Sequence, residues 1–243
     1  MSLRRLKPED RIILALDFPE YGEAEKWVNR FREKIHTYKV GPILYLRNGT
    51  DVLKRFSRLG ADIFLDLKFH DIPSTVEKTV RQLLDLNVSM FTLHALGGVD
   101  MMKRVSDAIA EEADRLSRPK PLSLAVTVLT SHDEESLNEI GINGSTSDEV
   151  LRLAGVADKA GVDGLVCSGH ELEFIKKEYG DRFTLAVPGI RPASDTHDQK
   201  RVMTPGEAVS KGADYLVIGR AITEAQKPES VVEEIISQIS PTL

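Results

Sequence analysis

The stretch Ala61-Asp-Ile-Phe-Leu-Asp66-Leu-Lys68-Phe-His-Asp71-Ile-Pro73 decides how this chain is read. Its first part, Ala61 to Leu65, is an apolar run of the kind that forms a buried strand. Asp66 and Lys68 are two apart, so on a strand they share one side, while Leu67 and Phe69 take the other. Asp71 falls where the strand should stop, because Ile72-Pro73 cannot continue a central ladder. Three charges of alternating sign therefore crowd the mouth of one strand. A charge withdrawn from water is costly unless it is paired. Such a cluster is either a structural ion network or a reaction centre, and its place at a strand end favours the second.

Outward from this stretch the same unit repeats. Arg11 to Asp17, Thr37 to Gly41, Ala61 to Lys68, Val88 to His94, Leu122 to Leu129, Gly164 to Cys167, Phe183 to Val187 and Asp214 to Ile218 read as strands. Helical spacing of apolar residues follows them, over Glu20 to Lys34, Leu46 to Leu59, Ser74 to Asp85, Asp100 to Leu116, Asp148 to Ala160, His170 to Glu178 and Pro205 to Lys211. Arg220 to Ala225 opens a short helix and Pro228 to Ile239 a last amphipathic one. Ser131 to Ser147 reads as a polar loop with room for one short helix. Pro188 to Val202 is a Pro/Gly/Asp-rich loop, long for a strand-to-helix connection.

Eight strands at a spacing of roughly thirty residues, each with a helix after it, predict an α/β fold of the (β/α)8 TIM-barrel type. The strands are continuous apolar runs, as expected when both faces are covered. No composition break divides the chain, so residues 1–243 are expected to form a single catalytic domain, with Met1 to Asp10 as an N-terminal extension within it. A doubly wound open sheet is the competing architecture. A barrel places functional residues just after its strands. Asp17, Lys39, Lys68, Asp71, His94, Thr130, Arg191 and Arg220 all fall there.

Composition narrows the partners. A net charge of -6 offers no basic surplus for nucleic acid. It leaves room for a small anion held by a few local cations. With one cysteine, Cys167, no disulfide can form within the chain, which suits a reducing cytoplasm. The first ten residues lack an apolar signal core, and no run approaches the ~20 apolar residues of a membrane span. The 41% apolar share is enough to build a full core.

The segment Asp66-x-Lys68-x-x-Asp71-Ile72-Pro73-x-Thr75 resembles the signature of the orotidine 5'-phosphate decarboxylase family, in its bacterial type. Further blocks resemble that family in the same order: Leu14-Ala-Leu-Asp17, Tyr38-Lys39-Val40-Gly41, Val128-Leu-Thr130-Ser131, Val187-Pro188-Gly-Ile-Arg191-Pro192, Asp198-Gln199-Lys-Arg201 and Val217-Ile-Gly219-Arg220-Ala-Ile. The resemblance covers nearly the whole chain. It implies decarboxylation of orotidine 5'-monophosphate to uridine 5'-monophosphate and carbon dioxide, in de novo pyrimidine synthesis, without cofactor or metal.

The same resemblance implies the roles. Lys68 protonates the vinyl carbanion left on the ring. Asp66 lies by the departing carboxylate or orients Lys68, and Lys39 and Asp71 complete an alternating Lys-Asp-Lys-Asp array. Asp71, with Ile72 and Thr75, is supplied to the neighbouring subunit's site, so a homodimer with shared active sites is expected. Asp17 and Lys39 resemble a ribose-binding pair. Thr130 and Ser131 resemble the readers of the pyrimidine edge. Pro188, Arg191, Gln199, Gly219 and Arg220 resemble the phosphate-gripping lid and its base. Read alone, Asp17 is equally a helix N-terminal acid, and Thr130 and Ser131 are equally a turn cap.

His70, His94 and His132 read as structural. Asp66, His94 and Asp71 would be the metal ligands of the rival enzyme, a metal-dependent sugar-phosphate decarboxylase or aldolase on the same barrel. A non-catalytic phosphate-binding barrel is the third reading.

Overall fold

A computed structural model gives the architecture and describes residues 6–192 and 203–240. Eight parallel strands close into a barrel in sequence order. They are β1 (Ile12–Ala15), β2 (Thr37–Val40), β3 (Asp62–Phe69), β4 (Val88–His94), β5 (Leu122–Val126), β6 (Gly164–Val166), β7 (Thr184–Pro188) and β8 (Tyr215–Ile218). β1 pairs with β2 on one side and with β8 on the other, so the sheet has no edge and the open doubly wound alternative is excluded.

The closure follows from apolar residues at both strand parities. Ile12, Leu14 and Leu16 face outward into the large core under the helices. Ile13 and Ala15 face inward and meet Phe64, Met90, Leu124, Ala186 and Val217 in a separate, smaller core that fills the barrel. A barrel interior is crowded, and Gly164 marks its tightest point. A Cβ there would stand 2.2 Å from the Thr184 carbonyl oxygen and 2.7 Å from a Leu124 methyl.

The helices around the barrel are α1 (Tyr21–Phe31), α2 (Pro42–Asn48), α3 (Asp51–Arg58), α4 (Pro73–Arg81), α5 (Gly98–Leu116), α6 (Glu134–Glu139), α7 (Thr146–Ala160), α8 (Leu172–Tyr179), α9 (Pro205–Ser210), α10 (Arg220–Thr223) and α11 (Pro228–Ile239). Their termini carry local signals: Asp133 and Thr204 form capping boxes with Ser136 and Glu207, and Ser145 caps α7 two residues earlier than the apolar pattern suggests.

Several boundaries differ from the sequence reading, each for a local reason. The single helix expected over Leu46 to Leu59 is two helices, because Gly49 takes a positive φ of 60° and ends the first. The first of them begins at Pro42, whose fixed φ suits a first helical position. The helix expected to reach Asp85 gives way at Gln82 to a 3-10 turn that ends on left-handed Asn87. β5 stops at Val126, three residues short of Leu129, and the chain beyond it turns over the barrel's mouth. The end of the expected N-terminal extension is tied to the barrel's floor, where Arg11 donates to the carbonyls of Ala213 and Asp214 and Asp10 meets His36 at 2.8 Å.

Candidate active site

The C-terminal ends of the strands surround a cavity of about 460 Å³, within the usual range for small-molecule sites. Its floor is apolar: Ala15, Phe64, Val126, Val166 and Val217 lie on five strands and close it from below. Sequence reasoning did not single these residues out. The signal was present, since Ala15, Phe64 and Val217 each stand two residues before Asp17, Asp66 and Gly219, on the same inward parity.

Above the floor runs a chain of alternating charge. Asp17 Oδ1 accepts from Lys39 Nζ at 2.8 Å. The same ammonium lies 3.7 Å from Asp66 Oδ2. Asp66 Oδ1 accepts from Lys68 Nζ at 2.9 Å. Lys39 and Asp66 keep only 11% and 13% of their side chains exposed, whereas Lys68 keeps 37%. At an effective dielectric near 20, an ion pair at such a separation has a gross attraction of about 4 kcal/mol, set against the desolvation of both groups. The inner pair is therefore screened little by solvent, and Lys68 is the cation left reachable from the cavity.

β3 is irregular where these charges sit. Leu65 pairs with Phe91 of β4 and Phe69 with Leu93. Asp66, Leu67 and Lys68 thus span the single residue Thr92. Lys68 takes a φ of 49°, unusual for any residue other than glycine. Its amide donates to Thr92 Oγ1 at 2.9 Å, and Thr92 Oγ1 lies 3.0 Å from Asp66 Oδ1. Thr92 was missed at the level of sequence. Its only signal there is a hydroxyl inside the apolar run Val88 to His94.

Of the residues singled out from sequence, Asp17, Lys39, Asp66, Lys68, Thr130, Ser131, Pro188, Arg191, Gly219 and Arg220 line the one cavity. Arg220 opens α10 with Gly219 before it, and Ala15 leaves little room there: a Cβ on Gly219 would stand 3.3 Å from that of Ala15. Ile190 bridges to Met203, and the Arg191 amide donates to the Met203 carbonyl at 3.2 Å, which holds Arg191 at the rim. Gln199 lies outside the described residues.

Asp71, Ile72 and Thr75 are not brought to the cavity of their own chain. All three are exposed, and Asp71 Oδ1 accepts the Ile72 amide at 2.6 Å. The fourth charge within one chain is therefore Asp17, not Asp71.

The other titratable neighbours are poor proton donors or nucleophiles. His94 stacks on His70 with ring centroids 5.5 Å apart, and its Nδ1 accepts the Leu96 amide. Burial, with His70, Lys68 and His132 nearby, pulls its pKa below the usual histidine value, which favours the neutral ring. Burial pushes the Cys167 thiol well up, with Glu171 adding to the effect, so this cavity-lining sulfur stays protonated. Asp66, His94 and Asp71 do not form a donor set: among the described residues no group of three or more His, Cys, Asp or Glu is arranged to hold a metal ion.

Comparison with known proteins identifies the family to which the chain belongs. A family model described as orotidine 5'-phosphate decarboxylase / HUMPS matches residues 10–235. A curated relative from Syntrophotalea carbinolica, named orotidine 5'-phosphate decarboxylase, is 42% identical over 234 residues, covering 96% of each chain. One of the same name from Actinobacillus pleuropneumoniae is 45% identical over 236 residues, covering 95% of this chain and 99% of its own. The crystal structure of orotidine 5'-phosphate decarboxylase from Lactobacillus acidophilus superposes with a TM-score of 0.82 at 34% identity, over 96% of this chain and 100% of that one.

Proposed function

We propose a reaction for this chain from one premise: it belongs to the orotidine 5'-phosphate decarboxylase / HUMPS family. It is an enzyme that decarboxylates orotidine 5'-monophosphate to uridine 5'-monophosphate. The observation that carries the reading is the chain Asp17–Lys39–Asp66–Lys68 over an apolar floor, at the C-terminal mouth of the barrel. The family description spans two names, and the curated relatives at 41–45% identity carry the first.

The chemistry assigns each group a task. The bond from the pyrimidine ring to its carboxylate breaks, carbon dioxide departs, and the electron pair stays on the ring carbon. That pair has no conjugated sink, so fixed positive charge must make it tolerable. The Lys68 ammonium faces the cavity, favours the developing carbanion and then gives it a proton. The resulting amine recovers its proton from solvent. Asp66, ion-paired to Lys68, holds that ammonium in place, and Lys39 holds Asp66 from the other side. Asp17 and Lys39 take the ribose hydroxyls, while Thr130 and Ser131 meet the polar edge of the base.

Arg220, with the Gly219–Arg220 backbone, takes the phosphate, joined by Arg191 and Gln199. Among the described residues no carboxylate pairs with Arg220, which leaves its guanidinium fork available to an anion. Contacts to the phosphate lie far from the reacting carbon, and their binding energy holds the charged array and the substrate in one geometry.

A second copy of the chain supplies Asp71, Ile72 and Thr75 to this site. The support is their exposure after β3, Asp71 and Ile72 in the loop and Thr75 in the first turn of α4, with 64% of Ile72 uncovered, together with exposed Leu96 and Val99 after the adjacent β4. A role in de novo pyrimidine synthesis, in the cytoplasm, is part of this proposal and is supported by the shared name of the curated relatives. Among the described residues no helix is long and apolar enough to cross a membrane.

The test is loss of orotidine 5'-monophosphate absorbance on adding purified protein, with and without EDTA. Activity that survives the chelator is expected, and activity that needs added divalent metal would favour the sugar-phosphate alternative. Lys68→Ala should abolish turnover and leave uridine 5'-monophosphate binding measurable. Near-normal turnover in that variant would remove Lys68 as the acid.

A further inference from the structure

We propose that Thr92 is a positioning residue of this reaction centre: its buried hydroxyl fixes the Asp66 carboxylate and the Lys68 amide at once, and so sets the geometry of the Asp66–Lys68 pair. The inference rests on the decarboxylase reading and adds a residue that does not itself reach the substrate. Thr92 is fully buried and does not line the cavity. Whatever it contributes to turnover must pass through its two neighbours.

The bond directions are forced by chemistry. An ionised carboxylate only accepts, and a backbone N–H only donates. The Thr92 hydrogen therefore goes to Asp66 Oδ1, at 3.0 Å, and a lone pair of the same oxygen takes the Lys68 N–H, at 2.9 Å. A hydroxyl is suited to both uses at one atom. Valine has the same shape and neither capacity.

The strand register shows why both bonds are needed. Three residues of β3 stand against one of β4 between the Leu65–Phe91 and Phe69–Leu93 pairs. A bulge of this kind leaves backbone groups without ladder partners. The Thr92 side chain replaces the missing acceptor for the Lys68 amide, at the residue whose φ is 49°. A lysine in that conformation persists only where its surroundings over-determine it. The conformation directs the Lys68 side chain back to Asp66, which its ammonium meets at 2.9 Å. On the carboxylate, Oδ1 is held by Lys68 and Thr92 together, and Oδ2 is left toward Lys39 at 3.7 Å. One hydroxyl thus fixes both the carboxylate's rotation and the backbone that carries the ammonium.

The experiment compares Thr92→Val and Thr92→Ser with the unsubstituted protein, measuring kcat and KM for orotidine 5'-monophosphate and the Kd of uridine 5'-monophosphate. Misplacing a reacting group by an ångström costs up to ~100-fold in rate. Thr92→Val is therefore expected to lower kcat by about 10- to 100-fold while KM and Kd stay within about threefold. Thr92→Ser, which keeps the hydroxyl, should stay within about threefold of the unsubstituted enzyme in kcat. If Thr92→Val does not fold, Thr92→Ala against Thr92→Ser makes the same comparison. Unchanged kcat in the hydroxyl-free variant overturns the inference and leaves the decarboxylase reading intact. So does a serine variant as slow as the valine one, or a kcat loss matched by weaker nucleotide binding, since both would report packing. No turnover by the unsubstituted protein overturns the functional reading and this inference with it.

Discussion

Replacing Glu171 by glutamine should flatten the pH dependence of stability between about pH 4.5 and about pH 7. Glu171 ends the 3-10 turn before α8, is 7% exposed, and accepts the Ser168 amide at 2.8 Å. Burial raises its pKa from the ordinary 4.5 to about 7, against the opposing pull of the Ser168 hydrogen bonds. The folded state therefore holds a proton that the unfolded chain has released. The stabilisation is fully present below pH 4.5 and is lost as pH rises to about 7. At ~1.4 kcal/mol per pH unit, that interval amounts to about 3 kcal/mol.

His94 acts with the opposite sign. Its lowered pKa makes the folded state lose stability as pH falls below the ordinary histidine value. A single profile of the unsubstituted protein therefore mixes the two, and the difference between variant and parent isolates Glu171. The assay is denaturant unfolding at fixed protomer concentration from pH 5 to pH 8, because self-association adds its own contribution to apparent stability. Glutamine keeps the carbonyl that accepts the Ser168 amide, so its own packing shifts both ends of the profile equally. The parent should lose about 2 to 3 kcal/mol relative to Glu171→Gln across that range, the remainder of the effect falling below pH 5. Parallel profiles would show that the carboxyl is solvated in the folded state and that the buried proton does not exist.

Other outcomes follow from the cavity. Arg220→Ala should lower kcat/KM by about 100-fold or more, and added guanidinium should recover much of the loss; no recovery would argue against a direct phosphate contact. Lys68→Ala and Asp71→Ala should each be inactive alone. Mixed in equal amounts and allowed to exchange subunits, they should regain about a quarter of parent activity, since half of the dimers then carry one intact site of two. A mixture no more active than its components would place Asp71 outside the partner's site.

The barrel was legible because its strands announce themselves twice, by apolar runs and by the charges that end them. Asp66 could be placed from parity, whereas Asp17 and Lys39 were legible as strand-end charges and took their roles from the family resemblance. Lys68 is a subtler case. Simple alternation put it beside Asp66, and it is beside Asp66, but through a bulge and a positive φ that break alternation between Leu65 and Phe69. Thr92 was illegible for the same reason. Which residue of β4 stands opposite the bulge is a fact of register, set by the closure of the whole barrel. The break at Gly49 was readable in principle and was outweighed by the apolar pattern on either side of it. Asp71 was readable as a strand-end charge. Its absence from the cavity reflects the turn at Ile72-Pro73, which starts α4 and carries the carboxylate outward.

Register also explains why the array needs lysine at position 39. Ala15 of β1 and Phe64 of β3 both pair with Lys39 of β2, so its Cα lies at the level of the apolar floor. Asp66 stands two residues further along β3 and Asp17 two residues past Ala15, just beyond the end of β1, a step of about 6.6 Å along an extended chain toward the mouth. The two carboxylates thus belong to one layer and the lysine backbone to the layer beneath. Only a long, unbranched stem can rise between them and deliver a compact charge to both. The stem is covered by the floor residues while the ammonium meets oxygens at 2.8 and 3.7 Å. A shorter cation would leave the Asp17 and Asp66 carboxylates without the charge that lies between them. The apolar layering that closes the barrel therefore also sets the depth of each charge, and one pattern of strand residues serves both the core and the chemistry above it.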